Sequence, residues 1–90
     1  MQSKCLMTIK HQTNVHARCP YLPVWDYYTV TFSTSSFLKV ETLEKACETV
    51  RGKKITQEQL AKKLAKKMPA GVKVTVVGMH GANCRSEVSW

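Results

Sequence analysis

Apolar and polar positions repeat with two different periods along the chain, and the change from one to the other divides it into elements. Near the start, Cys5, Met7 and Ile9 alternate with Leu6, Thr8 and Lys10. This period of two predicts a first strand from Cys5 to about Lys10, with a continuation through Thr13 towards Val15. A second alternation sets Tyr28, Val30 and Phe32 against Tyr27, Thr29 and Thr31, and predicts a strand from about Trp25 to Thr34 or Ser35. Ser33-Thr34-Ser35-Ser36 reads as a bend, after which Phe37-Leu38-Lys39-Val40 is expected to extend the sheet.

The period then lengthens. Leu43, Ala46, Cys47 and Val50 fall at i, i+3, i+4 and i+7, one face of a helix that Gly52 would close as a left-handed cap. A second helix begins at Thr56, an N-cap with Gln59 three positions later in a capping box, and with Gln57 and Glu58 in the first turn. Leu60, Ala61, Leu64, Ala65 and Met68 form its apolar face, Lys62, Lys63, Lys66 and Lys67 its polar face, and Pro69-Ala70-Gly71 ends it. Val72 to Val77 reads as a strand, Gly78 to Asn83 as a turn or loop, and Cys84 to Trp90 as a final strand.

The resulting order is strand, strand, helix, helix, strand, strand. No repeat, low-complexity segment or linker interrupts it, so residues 1–90 are expected to form one α+β domain with both helices on one face of an antiparallel sheet. A chain this short buries a modest fraction of its surface, and assembly into an oligomer is one way to complete its core.

Composition narrows the partners more than the fold. The chain is 43% hydrophobic and 22% charged, ordinary for a globular domain, and no apolar run approaches the length of a membrane span. Its first ten residues lack the apolar region and cleavage site of a secretory signal, so a cytoplasmic protein is expected. In that compartment Cys5, Cys19, Cys47 and Cys84 are read as free thiols or metal ligands, with Cys47 on the apolar helix stripe. A net charge of +8 favours an anionic partner, nucleic acid first. The lysine face of the second helix, with Lys53, Lys54 and Lys73, would give RNA salt-sensitive phosphate contacts, although such faces are more often simply solvated.

The chemistry concentrates around Arg18-Cys19-Pro20-Tyr21-Leu22-Pro23-Val24-Trp25-Asp26. Two prolines stiffen a loop that holds a thiol beside a cation, seven positions before a carboxylate that opens a strand. Cys19 is thus a candidate nucleophile and Asp26 a candidate acid, set against an inert loop cysteine and a carboxylate that accepts backbone hydrogen bonds. Glu58 complements the helix dipole, and its two oxygens would also match the adjacent N–H donors of a guanine-like or pterin-like ring. His16, Cys19, His80 and Cys84 offer nitrogen and sulfur to zinc, at imperfect spacings.

The Cys19-Pro20 to Asp26 spacing, running into an alternating strand, resembles the 7-cyano-7-deazaguanine reductase family of the tunnelling fold. Glu58 adds to the likeness, and so do Arg51-Gly52-Lys53-Lys54-Ile55-Thr56-Gln57-Glu58-Gln59-Leu60-Ala61 and Val72-Lys73-Val74-Thr75-Val76. These look especially like the short archaeal, amidinotransferase-like branch that forms archaeosine. The resemblance implies a four-stranded tunnelling fold assembled into an oligomeric barrel with pockets between subunits. It implies that Cys19 attacks the nitrile of 7-cyano-7-deazaguanine to give a thioimidate, that Asp26 passes a proton to nitrogen, and that Glu58, with Gln57, binds the base. Ammonia or an amine would be the second reactant, the base would be carried in tRNA, and no cofactor or metal would be needed.

Two departures qualify the comparison. The reductases carry Glu-(Ser or Leu)-Lys-(Ser or Ala)-x-Lys for NADPH, whereas this chain has Glu41-Thr42-Leu43-Glu44-Lys45-Ala46, which favours amidation over hydride transfer. Gln57 stands where the family has histidine. Gln57-Glu58 followed by Leu60 also resembles the zinc-dependent GTP cyclohydrolase I branch, although Pro20 and Tyr21 replace its expected Cys-x-x-His. An NADPH-dependent nitrile reductase, a zinc cyclohydrolase and a non-catalytic basic RNA-binding module are therefore the alternatives.

Overall fold

The computed structural model describes residues 7–80 and 83–90, with residue 80 in its backbone only. The elements are β1 (Ile9–Arg18), β2 (Trp25–Thr34), α1 (Val40–Glu48), α2 (Gln57–Lys66), β3 (Lys73–His80) and β4 (Cys84–Ser89). The strands pair antiparallel in the order β1-β2-β3-β4. Both helices lie in the connection from β2 to β3, which leaves β1 and β4 as the edges.

Alternation explains the layering. Side chains two apart on a strand share a face, and Tyr28, Val30 and Phe32 of β2 are buried beside Val15 and Ala17 of β1 and Val74 and Val76 of β3. Leu43, Ala46 and Cys47 of α1, and Leu60, Ala61 and Leu64 of α2, close that face into one core. Phe32 is wholly buried within it, and truncation to alanine would cost about 3–5 kcal/mol. Thr56 caps α2 as expected: its hydroxyl accepts from the Gln59 amide, and the Gln59 side chain accepts from the Thr56 amide.

Four boundaries differ from the sequence reading. β1 begins at Ile9 and runs to Arg18, because every residue from Ile9 to Arg18 finds a partner on β2; Cys5 and Leu6 lie outside the described residues. Phe37 to Val40 does not extend the sheet. Both edges of β2 are already occupied by β1 and β3, so Phe37 stays exposed, Leu38 drops into the core and α1 starts at Val40.

Helix α1 ends at Glu48, earlier than the apolar spacing indicated, and Val50 is buried from the turn that follows. Gly52 adopts the expected left-handed conformation, φ 75°. Finally, β3 continues to His80 through Gly78, which the sequence reading placed in a loop. Gly78 pairs with Tyr28 on one side and Ser86 on the other; residues 81 and 82 lie outside the described set. No helix among the described residues is long and apolar enough to cross a membrane.

Candidate active site

The last pair of the β1–β2 register, Arg18 opposite Trp25, closes the neck of the cysteine loop. Pro20 and Pro23 have no amide hydrogen to contribute, and the loop is held by the others: the Cys19 amide donates to the Val24 carbonyl (3.1 Å) and the Val24 amide to the Leu22 carbonyl (2.8 Å). Cys19 is half-buried at the edge of an open cleft of about 390 Å³, lined also by Arg18, Tyr21, Trp25 and Lys54. The Arg18 guanidinium lies over the Trp25 ring, 4.9 Å from its centroid.

Lys54 reaches this cleft because the segment before α2 is stitched alongside the end of β1. The Gly52 amide donates to the His16 carbonyl (3.0 Å), the Arg18 amide to Lys53 (2.8 Å) and the Ile55 amide to Arg18 (3.1 Å). Positive φ at Gly52 allows the turn into this short parallel bridge. The stitching brings the start of α2, and with it Glu58, to the same end of the sheet as the cysteine loop.

Asp26 pairs with Ala17, one register step from the neck, and is half-buried on the core-facing side of β2. Tyr28, two residues on and on the same face, donates its hydroxyl to Asp26 Oδ2 at 3.3 Å. Burial raises the pKa of that hydroxyl well above the ordinary tyrosine range. The Asp26 charge and the hydrogen bond to it add to the rise, as do the charges of Cys19 and Glu58. Of the three groups singled out from the sequence, Asp26 is bonded to the phenol, while Cys19 and Glu58 act on it through their charge alone. In the sequence Tyr28 stands out only as one of the alternating positions of the second strand. The available signal was its placement on the same face of the strand as Asp26, two residues away.

Gln57 is placed differently. It is buried, and its amide nitrogen donates to the carbonyls of Val76 and Ser86, both at 2.9 Å. These bonds tie the first turn of α2 to β3 and β4, while Glu58, the next residue, is exposed. Lys62, Lys63, Lys66 and Lys67 are exposed on α2, and the Lys62 ammonium sits 5.6 Å from the centroid of the Trp90 ring.

Among the described residues the candidate zinc ligands do not assemble, and the His80 side chain lies outside them. His16 packs edge-on against Trp25, with centroids 5.3 Å apart, and at a tilt to Tyr27. Cys84 is exposed where β3 turns into β4, at the same end of the sheet as the cysteine loop but two strands across from it, its backbone opposite that of His80. Among the described residues no three His, Cys, Asp or Glu side chains converge as a metal site. Cys47 lies in the core, where burial pushes its thiol up to about 11, so it is an inert thiol at neutral pH.

No protein-family model and no curated protein matches the chain. Among solved structures it is similar to the crystal structure of the archaeosine synthase QueF-Like in the apo form. The TM-score is 0.79 and the identity 26%, over 92% of this chain and 90% of that one. The chain thus carries a QueF-like tunnelling fold, and the archaeal branch that its residues resemble in sequence is the one that it resembles in structure.

Proposed function

We propose that this single-domain chain is a tRNA-modification enzyme that adds ammonia to the nitrile of 7-cyano-7-deazaguanine carried in tRNA, giving the formamidine of archaeosine. The observation that carries the reading is the similarity of the fold, over nearly its whole length, to an archaeosine synthase; Cys19 at an open cleft and Asp26 one register step from the neck of its loop support it.

In this reading the sulfur of Cys19 adds to the nitrile carbon. The thiol proton passes through Asp26 to the nitrile nitrogen as the C–S bond forms, which leaves a thioimide. Ammonia then adds to the same carbon, the C–S bond breaks, and the thiol is restored; the net change is addition of ammonia across the C≡N bond. Glu58 accepts the ring N–H and exocyclic amino hydrogens of the base as a bidentate anchor. Arg18 and Lys54 at the cleft, and the lysines of α2, take the flanking phosphates.

The cleft is open and carries exposed Tyr21, Leu22, Val24 and Trp25. Apolar exposure of this kind supports a second copy of the chain as the missing wall, with active sites between the subunits of a homo-oligomer. The amidine-forming reading needs no cofactor or metal.

The test is intact-protein mass spectrometry after incubation with 7-cyano-7-deazaguanine, with Cys19→Ala in parallel. A gain of one base on the wild-type chain only is the expected result, and loss of the adduct on adding ammonia distinguishes amidation from reduction by NADPH. No gain on the wild type transfers the weight to a non-catalytic RNA-binding module.

A further inference from the structure

We propose that Tyr28 is a positioning residue for the proton transfer at Asp26, and that Gly78 is the vacancy that lets it reach. The inference rests on the reading that Asp26 relays the thiol proton to the nitrile nitrogen.

Tyr28 is 3% exposed, in a face of β2 otherwise continued by Val30 and Phe32. A phenylalanine would fill the ring's place, whereas the hydroxyl carries a polar group into the core and needs a partner there. That partner is Oδ2 of Asp26. By occupying one carboxyl oxygen, the hydroxyl leaves Oδ1 to carry the proton and limits rotation of the carboxyl group about its bond to Cβ. Tyr28 keeps its own proton throughout, since burial and the surrounding negative charges oppose its loss.

Gly78 provides the room. It lies opposite Tyr28 in the β2–β3 register, and a Cβ there would come within 2.5 Å of Cδ1 and 2.6 Å of Cε1 of the ring. No side chain could enter without displacing the phenol, and the hydroxyl at its far end would move furthest. The glycine therefore acts on Asp26 through the tyrosine.

The experiment compares wild type, Tyr28→Phe, Gly78→Ala and the double variant for the rate of adduct formation at saturating 7-cyano-7-deazaguanine, for the half-saturating concentration, and for melting temperature. Tyr28→Phe is expected to remain folded, to keep its half-saturating concentration, and to form adduct about tenfold more slowly, a part of the usual acid–base contribution. Gly78→Ala is expected to slow the tyrosine enzyme by a similar factor and to have little further effect in the phenylalanine background. A Tyr28→Phe rate equal to wild type overturns the inference, as does an undiminished Gly78→Ala effect in the double variant, which would mark ring placement alone. Absence of any wild-type adduct overturns the reading of the site and this inference with it.

Discussion

Arg18 and Lys54 are bridged backbone to backbone at the mouth of the Cys19 cleft. Two cations from distant parts of the chain thus flank one opening, although the segment that carries Lys54 belongs to neither strand nor helix. If the base arrives in RNA, Lys54→Ala should weaken RNA binding to a similar extent across sequences. It should also lower the slope of log affinity against log salt by about one, as expected for a phosphate contact. Fluorescence anisotropy over a salt series measures both, and a slope equal to wild type would remove Lys54 from the interface.

Asp26→Asn tests the acid directly. The amide is close in shape but cannot relay a proton, so adduct formation should slow by roughly a hundred- to ten-thousand-fold, with base binding retained in equilibrium dialysis. A rate within a factor of a few of wild type would assign the proton to another group.

Gln57 and Glu58 are neighbours in sequence with separable consequences. Gln57→Leu strips the Val76 and Ser86 carbonyls of their shared donor, and urea unfolding should show a loss of about 2–4 kcal/mol. Glu58→Gln is exposed and should cost under about 1 kcal/mol, the scale of a helix-dipole contribution, while abolishing measurable base binding. The opposite pattern would exchange their roles.

Alkaline stability should report Cys47. Burial pushes its thiol up to about 11 in the folded chain from the 9.0 of a free thiol, so the unfolded chain gives up its proton first. Stability is therefore full below about pH 9 and falls as the pH rises through 11. Tyr28, also raised, steepens the loss in the same direction. In Cys47→Ala the decline measured by urea unfolding from pH 8 to pH 11 should be shallower.

Much of the fold could be read from periodicity because its elements are amphipathic. Phe32, Leu43, Leu60 and Val74 each fall where a period of two or of three to four put an inward position. Thr56 and Gln59 could be read because capping is a local interaction. What could not be read depended on partners far along the chain. Phe37 to Val40 has a strand-like composition but no free edge of β2 to join. Gly78 has the composition of a turn, and only the Tyr28 ring across the sheet explains its place in β3.

The site divides in the same way. Cys19, Asp26 and Glu58 stand out in the sequence as types and spacings, whereas the pairing of residues 52–55 with the end of β1 is tertiary and leaves no local signal. Gln57 was legible as a first-turn residue, whereas the bonds of its amide nitrogen to the Val76 and Ser86 carbonyls depend on strands far along the chain.

That stitching also has a consequence for how the site opens and closes. The Arg18 and Ile55 amides lie on opposite sides of one join, so neither can exchange its hydrogen without parting the thiol's loop from the helix that carries Glu58. Cys19 and Glu58 therefore belong to one cooperative unit of local unfolding. Native-state hydrogen exchange should show both amides sharing a single opening free energy. A fluctuation that exposes Cys19 to oxidation also frees the helix start that carries Glu58, so on the proposed function reactivity and recognition are lost in the same event.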